Sequence, residues 1–257
     1  MALIYVLPVH NEAAILARNV ENLRWTLDAF AGSRILLAEN GSRDSSLAIA
    51  RELAAQPGSV PVQALTIASA GIGHAYDLGI RQALADITDT TEHWLVLTAA
   101  DLPFGFSDLS HAVPFLGPGQ TASLLMGSKA HPRSQVHVSP ERALASQVYR
   151  ALRRIVAGMR SGDSQGSIFL RLDMASLLVQ LIESRDFFYS TELVFHAERL
   201  GLPIVELPVV VQPEQRESTV RPWRHGISML RSLLRQVHRW GRVPGRPKDS
   251  SSLPRFA

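Results

Sequence analysis

Trp94-Leu95-Val96-Leu97-Thr98-Ala99-Ala100-Asp101-Leu102-Pro103 is the stretch on which the reading of the fold turns. From Trp94 to Thr98 it is almost continuously apolar, which predicts a strand buried on both faces. It then breaks into a turn of small residues, one acid and a proline. Three earlier segments follow the same rule. Leu3 to Leu7 runs into Pro8-Val9-His10-Asn11-Glu12, Arg34 to Ala38 into Glu39-Asn40-Gly41-Ser42-Arg43-Asp44, and Val62 to Ile67 into the loop from Ala68 to His74. Helical patterns lie between them: from Asn11 and Glu12 to about Ala31, from the Asp44 turn to about Ala55, and a glycine-led helix from Gly71 to Ala85. Strands that alternate with helices imply βαβ units, right-handed crossovers and a parallel sheet. The expected class is α/β, a mostly parallel central sheet flanked by helices. Ligands bind such sheets at the carboxyl ends of the strands. The polar and glycine-rich residues cluster at those four ends, which points to a nucleotide or phosphate site.

Beyond Pro103 the pattern changes. Ser107 to Phe115 reads as a short helix, Leu124 to Ser128 as a strand, and Ala130 to Pro140, which lacks periodicity, as a mobile loop. An amphipathic helix follows from Glu141 to Val156, then a polar turn from Ser161 to Ser167 and a short strand from Ile168 to Arg171. Helices are expected from Ala175 to Glu183 and from Ser190 to Arg199, a strand from Ile204 to Val211, and a basic amphipathic helix from Trp223 to Trp240. The Gly-, Pro- and Ser-rich tail, residues 241–257, reads as disordered.

Composition narrows the class. A chain of 257 residues with 46% hydrophobic content has enough apolar mass for one sizeable core, and 19% charged residues argue against wholesale disorder. The net charge of +3 is too small to indicate a nucleic-acid partner. The absence of Cys excludes disulfide and thiolate chemistry. No run reaches the roughly 20 apolar residues of a membrane span, and the first residues lack the pattern of a secretion signal. A cytoplasmic protein is expected, with peripheral contact at the inner membrane surface. Of its 26 basic residues only Lys129 and Lys248 are lysine. Arginine's planar fork suits phosphate, although genomic base composition accounts for most of that excess.

In their order and spacing these motifs resemble the family-2, inverting glycosyltransferases of the GT-A fold. The likeness is greatest to the polyprenol-phosphate (dolichol-phosphate) mannosyl- and glucosyltransferases, and it spans Leu3 to Arg239. It implies one GT-A domain over residues 1–240, with a nucleotide-binding half (1–103) and an acceptor-binding half (104–240). It implies a nucleoside-diphosphate sugar donor (UDP or GDP), a phosphorylated lipid or small-molecule acceptor, and Mg²⁺ or Mn²⁺. By that resemblance Pro8, His10, Glu12, Glu39 and Asn40 line the nucleoside pocket, and Gly71 and Gly73 let the backbone approach the nucleotide. Ala99, Ala100 and Asp101 stand where the family has its D-x-D metal motif, with Asp101 the retained acid and metal ligand. Lys129, Arg142 and Ser146 correspond to the basic set and serine that hold an acceptor phosphate. Asp163, in Ser161-Gly162-Asp163-Ser164-Gln165-Gly166, corresponds to a residue that shapes the acceptor side. Glu192 is the retained acid of Tyr189-Ser190-Thr191-Glu192-Leu193, in which Ser190 replaces the family's Asp.

Each motif also has a plainer reading. Asn11 is a helix N-cap, Asn40-Gly41 a simple turn, Asp101 a turn cap, and Arg150, Arg153 and Arg154 a solvated helix face. The helix from Arg224 to Trp240 is either core-packed or seated on anionic lipid through Met229, Leu230, Leu233 and Val237. Three functions compete with the first reading: a tailoring glycosyltransferase of natural-product biosynthesis, an inactive module that binds a nucleotide-sugar, and a nucleotidyltransferase. The last lacks a glycine- and basic-rich loop after the first strand. A nicotinamide enzyme ranks low because the G-x-G-x-x-G spacing is incomplete. The chemistry turns on the acceptor. A hydroxyl needs a general base, for which Asp163 and Glu192 are the candidates, whereas a phosphate is already ionised and needs only positioning.

Overall fold

A computed structural model describes residues 1–87, 93–137, 139–213 and 222–240, without the side chains of Arg142 and of residues 222–228. The tail 241–257, expected to be disordered, lies outside the described residues.

Four strands, β1 (Ala2–Val9), β2 (Arg34–Glu39), β3 (Val62–Thr66) and β4 (His93–Leu97), alternate with helices α1 (Leu16–Leu27), α2 (Ser46–Ala55) and α3 (Ile72–Asp86). The parallel pairings β1 with β2, β1 with β4 and β2 with β3 make these four one twisted layer. The chain continues through α4 (Ser107–Ala112), a 3-10 turn, β5 (Leu124–Gly127), α5 (Pro140–Ala157), β6 (Ile168–Arg171), α6 (Leu172–Leu178), α7 (Tyr189–Arg199), β7 (Ile204–Leu207) and α8 (Pro222–Trp240). The sheet has seven strands in the order β3-β2-β1-β4-β6-β5-β7. β6 is the antiparallel member, paired with both β4 and β5, while β5 and β7 are parallel. The sheet is thus mixed but mostly parallel.

Strand alternation sorts the side chains of each strand between two cores. Leu3, Tyr5 and Leu7 of β1 join the cluster under α1 and α2, while Ile4 and Val6 join the one that includes Tyr76 and Ile80 of α3. Both faces are covered, which is why the strands read as unbroken apolar runs.

Three elements and one loop differ from expectation. The first helix begins at Leu16, because Asn11 is left-handed (φ 58°) and Glu12 closes a turn by accepting from the N–H groups of Ile15 and Leu16. The strand expected to reach Val211 ends at Leu207, where Pro208 lacks a ladder donor, and Val210 makes only an isolated bridge to Gln135. The helix expected from Ala175 to Glu183 runs from Leu172 to Leu178. The loop expected to be mobile is bolted down at its start. The Ser134 hydroxyl donates to the Ser128 carbonyl at 2.6 Å and accepts from Val209 N–H at 2.9 Å.

α3 lies close to the sheet because Gly79 faces β1. A Cβ there would stand 2.2 Å from Val6 Cγ1. Helix propensity alone would make Gly79→Ala favourable by about 1 kcal/mol. Val6 is fully buried and β-branched, so it cannot turn aside. Overpacking should dominate, giving a net loss of about 1–2 kcal/mol in urea unfolding. Adding Val6→Ala to the variant should recover part of that loss. A gain in stability for Gly79→Ala alone would refute this packing account.

Candidate functional site

The carboxyl ends of β1 and β2 are tied together before any ligand is considered. Asn11 Oδ1 accepts from Arg43 N–H at 2.8 Å, and Asn11 N–H donates to the Ser42 hydroxyl at 3.0 Å. Asn11 is therefore a cross-link between two loops and not a helix cap. Glu12 N–H donates to the Ser46 hydroxyl at 2.7 Å, and the Glu39 carboxylate accepts from Ser42 N–H at 2.5 Å. Glu12, Glu39 and Asn40 are buried, as is Pro8, while His10 is exposed with its Nδ1 3.2 Å from the Asn40 carbonyl oxygen. The fold brings these five expected nucleoside residues to one corner, with His10 as the exposed ring.

Gly71 and Gly73 lie against protein backbone. A Cβ on Gly71 would meet the Arg185 carbonyl oxygen at 2.7 Å, and one on Gly73 the Arg185 carbonyl carbon at 2.5 Å. The close approach is to the loop between α6 and α7. Gly71 also has φ 142°, a conformation that favours glycine.

The end of β4 opens on a cavity of about 240 Å³. Thr98, Ala99 and Pro103 line it together with Ile72 and Tyr76 of α3, Lys129, Gln165, Gly166, Ser167, Phe187, Ser190 and Met229. Ala100 does not. It is buried in the core, and its carbonyl accepts from Asn19 Nδ2 at 2.9 Å, so the expected ligand contact is corrected to a packing role. Asp101 is half-buried in the turn that Leu102 closes with φ 47°. The Tyr76 hydroxyl is held neutral well above its ordinary range by its own burial and then by the Asp101 charge. No three His, Cys, Asp or Glu side chains gather into a metal cluster among the described residues. Asp101 is the one acid of its turn, and Ala99 brings no side-chain oxygen. This donor set fits a divalent ion that takes most of its ligands from a diphosphate and water, not one caged by protein.

Lys129 is the ammonium of this cavity. Asp163 stands beside it, 3.9 Å from Nζ, and accepts from the N–H groups of Lys129 (3.2 Å) and Gln165 (2.9 Å). Of the expected trio Lys129, Arg142 and Ser146, Lys129 lines the cavity, while Ser146 is exposed on α5 and is not among the lining residues. The Arg142 side chain lies outside the described residues. Gln165, Ser167, Tyr76, Phe187 and Met229 escaped the sequence reading as site residues. Gln165 at least stood in a quoted motif, whereas Phe187 and Met229 carry no local signal.

Arg153 departs from its expected solvated role. It is buried, and it donates to the Gly162 carbonyl at 3.1 Å and to the Ser161 hydroxyl at 3.5 Å. It braces α5 against the turn that carries Asp163 and Gln165. A hydroxyl chain from Tyr149 to Thr191 (3.2 Å) and on to Ser164 (2.9 Å) braces the same turn against α7.

Glu192 is not at the cavity. It is 1% exposed, and its carboxylate accepts from the N–H groups of Ser184 (2.8 Å) and Glu183 (3.3 Å), with the His196 ring 3.7 Å away. It anchors the loop that covers Gly71 and Gly73. A larger cavity, about 390 Å³, lies between that loop and α8. Ala70 and His74 of the loop after β3 line one side of it, and its Arg185 and Arg239 are paired with Asp77 and Glu183. Burial pushes the Glu192 acid upward, but the His196 and Ser184 hydrogen bonds outweigh it and the net shift is downward.

Comparison with known proteins agrees with this geometry. The model of Glycosyl transferase family 2 matches residues 5–171. The chain is 29% identical over 245 residues to an undecaprenyl-phosphate mannosyltransferase of Micrococcus luteus, covering 94% of each. It is 26% identical over 244 residues to a polyprenol monophosphomannose synthase of Mycolicibacterium smegmatis, covering 92% of this chain and 85% of the relative. Among solved structures, glucosyl-3-phosphoglycerate synthase from Mycobacterium tuberculosis, in complex with Mn²⁺, UDP-glucose and phosphoglyceric acid, superposes with a TM-score of 0.66. At 17% identity, over 92% of this chain and 80% of that one, it shares the fold.

Because the folded-state pKa of Glu192 is depressed, its contribution is present above the ordinary carboxylate value of 4.5 and is lost as pH falls through the lower folded value. Glu192→Gln should cost about 1–3 kcal/mol at neutral pH and should flatten the acid limb of stability against pH, as followed by urea unfolding. An unchanged acid limb would remove Glu192 from this role.

Proposed function

Since the chain belongs to glycosyl transferase family 2 and is therefore a glycosyltransferase, we propose that it moves a sugar from a nucleoside-diphosphate donor onto a phosphate carried by a polyprenyl-type lipid. One observation carries the acceptor assignment. Among the described residues that line the β4 cavity there is no carboxylate and no imidazole, and the charged group is Lys129. A hydroxyl acceptor would need a base there, whereas a phosphate needs a cation and hydrogen-bond donors. Of the two candidate bases, Asp163 is paired with Lys129 and bonded to its own turn, and Glu192 is held away from the cavity by the loop before α7. The names of the relatives from Micrococcus luteus and Mycolicibacterium smegmatis support the same acceptor class.

In this mechanism the buried corner formed by Glu12, Glu39 and Asn40 receives the nucleoside, with the exposed His10 ring against the base. Lys129 holds the acceptor phosphate as a point charge, and Ser190, Gln165 and the neutral Tyr76 hydroxyl offer hydrogen bonds around the reacting centre. An acceptor oxygen attacks the anomeric carbon from the face opposite the nucleoside diphosphate, which inverts the configuration. Phe187 and Met229 exclude water from that step. Asp101 would hold Mg²⁺ or Mn²⁺, which when bound neutralises charge on the departing diphosphate.

The test is transfer from UDP- and GDP-sugars to a short-chain polyprenyl phosphate and to the matching alcohol. The phosphate should be glycosylated and the alcohol not; transfer to the alcohol alone would overturn the acceptor assignment. Lys129→Ala should lower the turnover rate by about 100-fold and leave donor binding intact, while Lys129→Arg should retain much of it. In a thermal-shift measurement, Mn²⁺ should raise the midpoint reached with nucleoside diphosphate, and Asp101→Asn should abolish that increment. An increment that survives in the variant would remove Asp101 as the metal ligand.

A further inference from the structure

The cavity of about 390 Å³ between α8 and the loop that joins α6 to α7 has no part in the transfer described above. His74 at the start of α3 forms one wall, the loop from Glu183 to Asp186 a second, and Ser232, Arg235, Gln236 and Arg239 of α8 the third. The loop divides this cavity from the one at the end of β4, since its continuation, Phe187, lines the latter. α3 divides them too. Ile72 and Tyr76 line the β4 cavity, and at 3.6 residues per turn His74 lies about 160° round the helix from each.

Three guanidiniums, those of Arg185, Arg235 and Arg239, meet two carboxylates here, those of Glu183 and Asp186. Arg185 is held by Asp77 at 3.5 Å and by the carbonyls of Ile182 and Ser184, and Arg239 is held by Glu183. Arg235 donates to the Ser232 hydroxyl at 3.1 Å and has no acid partner among the described residues. Its charge is the excess. Ser232 and Gln236 are buried polar groups of the same wall. Ser232 accepts from Arg235, which leaves its own hydrogen to donate, and Gln236 Nε2 lies 2.9 Å from His196 Nε2, which leaves the amide oxygen to accept. Guanidinium and hydroxyl donors on α8, with the His74 imidazole across from them, converge from more than one side. That suits a tetrahedral phosphate better than a planar carboxylate. The cavity is also larger than a bare phosphate needs. Asp186 uses one oxygen on Phe188 N–H at 3.0 Å. Its other oxygen and the Gln236 carbonyl are acceptors that a phosphate avoids and the hydroxyl groups of a polyol seek.

We propose that this cavity is an effector site for a soluble phosphorylated polyol of the sugar-phosphate class. The phosphate sits among Arg235, Ser232 and His74, and the hydroxyl groups face Asp186 and Gln236. A ligand held there ties α8 to the loop whose backbone rests on Gly71 and Gly73 and whose continuation, Phe187, walls the β4 cavity. Occupancy therefore bears on transfer while the ligand itself undergoes no reaction.

The experiment is calorimetry of the full chain with glucose 6-phosphate and with glycerol 3-phosphate, against inorganic phosphate and glucose as references. At least one phosphorylated polyol should bind about tenfold more tightly than inorganic phosphate, and glucose should not bind. Saturating UDP or GDP should leave that binding in place. Arg235→Gln, at an exposed position, should weaken it about tenfold, and Arg235→Lys should restore part of it. The thermal midpoint and the binding of UDP or GDP should be the same in variant and wild type, which separates a lost site from lost folding. In transfer to a short-chain polyprenyl phosphate, the bound compound should change the rate about fivefold in the wild type and not in Arg235→Gln, and it should emerge without added sugar. Failure of both compounds to bind would overturn the proposal, as would their displacement by UDP or GDP. So would equal binding by Arg235→Gln, a transfer rate that ignores the bound compound, or glycosylation of that compound. Binding is read without any acceptor, so this site and the acceptor assignment stand or fall separately.

Discussion

A buried carboxylate must be satisfied where it stands, and Glu192 is satisfied by two backbone N–H groups of the loop between α6 and α7. The cost of leaving such a charge unpaired in hydrocarbon would exceed most single interactions in the protein. The loop is therefore held in one place, and much follows from that place. Its Arg185 backbone lies against Gly71 and Gly73, which fixes where α3 begins. α3 in turn supplies Ile72 and Tyr76 to the β4 cavity, and the residues after the loop supply Phe187 and Ser190. The wall of the β4 cavity thus depends on this one brace.

The cavity itself reads as a site from which carboxylates have been withdrawn. Ala99 and Ser190 stand where the resembling enzymes carry acids, and the remaining acid of the β4 turn, Asp101, faces a tyrosine held neutral. The charged group that lines the wall is an ammonium, in a chain that otherwise relies almost wholly on arginine. A compact point charge adapts to a phosphate from several directions, while a guanidinium demands a planar partner. The arginines instead take structural posts, as Arg153 does between α5 and the Ser161–Gly166 turn.

Much of the architecture was legible in the chain because burial on both sheet faces leaves unbroken apolar runs, which β1, β2 and β4 show, whereas the edge strand β3 is broken by the exposed Gln63. The strand ends were legible for a related reason, since polar and glycine residues collect where backbone leaves the sheet. Direction was not: nothing in Ile168 to Arg171 announces an antiparallel strand, because orientation is set by the path of α5 and by its neighbours. Residue roles failed where long-range packing decided them. The approach of the Arg185 backbone to Gly71 and Gly73 has no local signature in sequence. Arg153 carries the same arginine pattern as Arg154, yet one is buried under a turn and the other is exposed. Ala100 sits in the same motif as Ala99, one inside the core and the other on the cavity wall.

The antiparallel strand β6 also imposes an order of events. β1 to β4 find all their mutual partners within the first 97 residues. The outer edge of β4 is covered only by β6, which begins at Ile168, and β5 must wait further for β7 at Ile204. During synthesis the nascent sheet therefore presents an apolar edge with unpaired backbone groups while some seventy further residues emerge. Such an edge invites pairing with another chain. The interval between translation of Leu97 and of Arg171 is the period in which this protein is most exposed to aggregation, and in which a chaperone would have the most to shield.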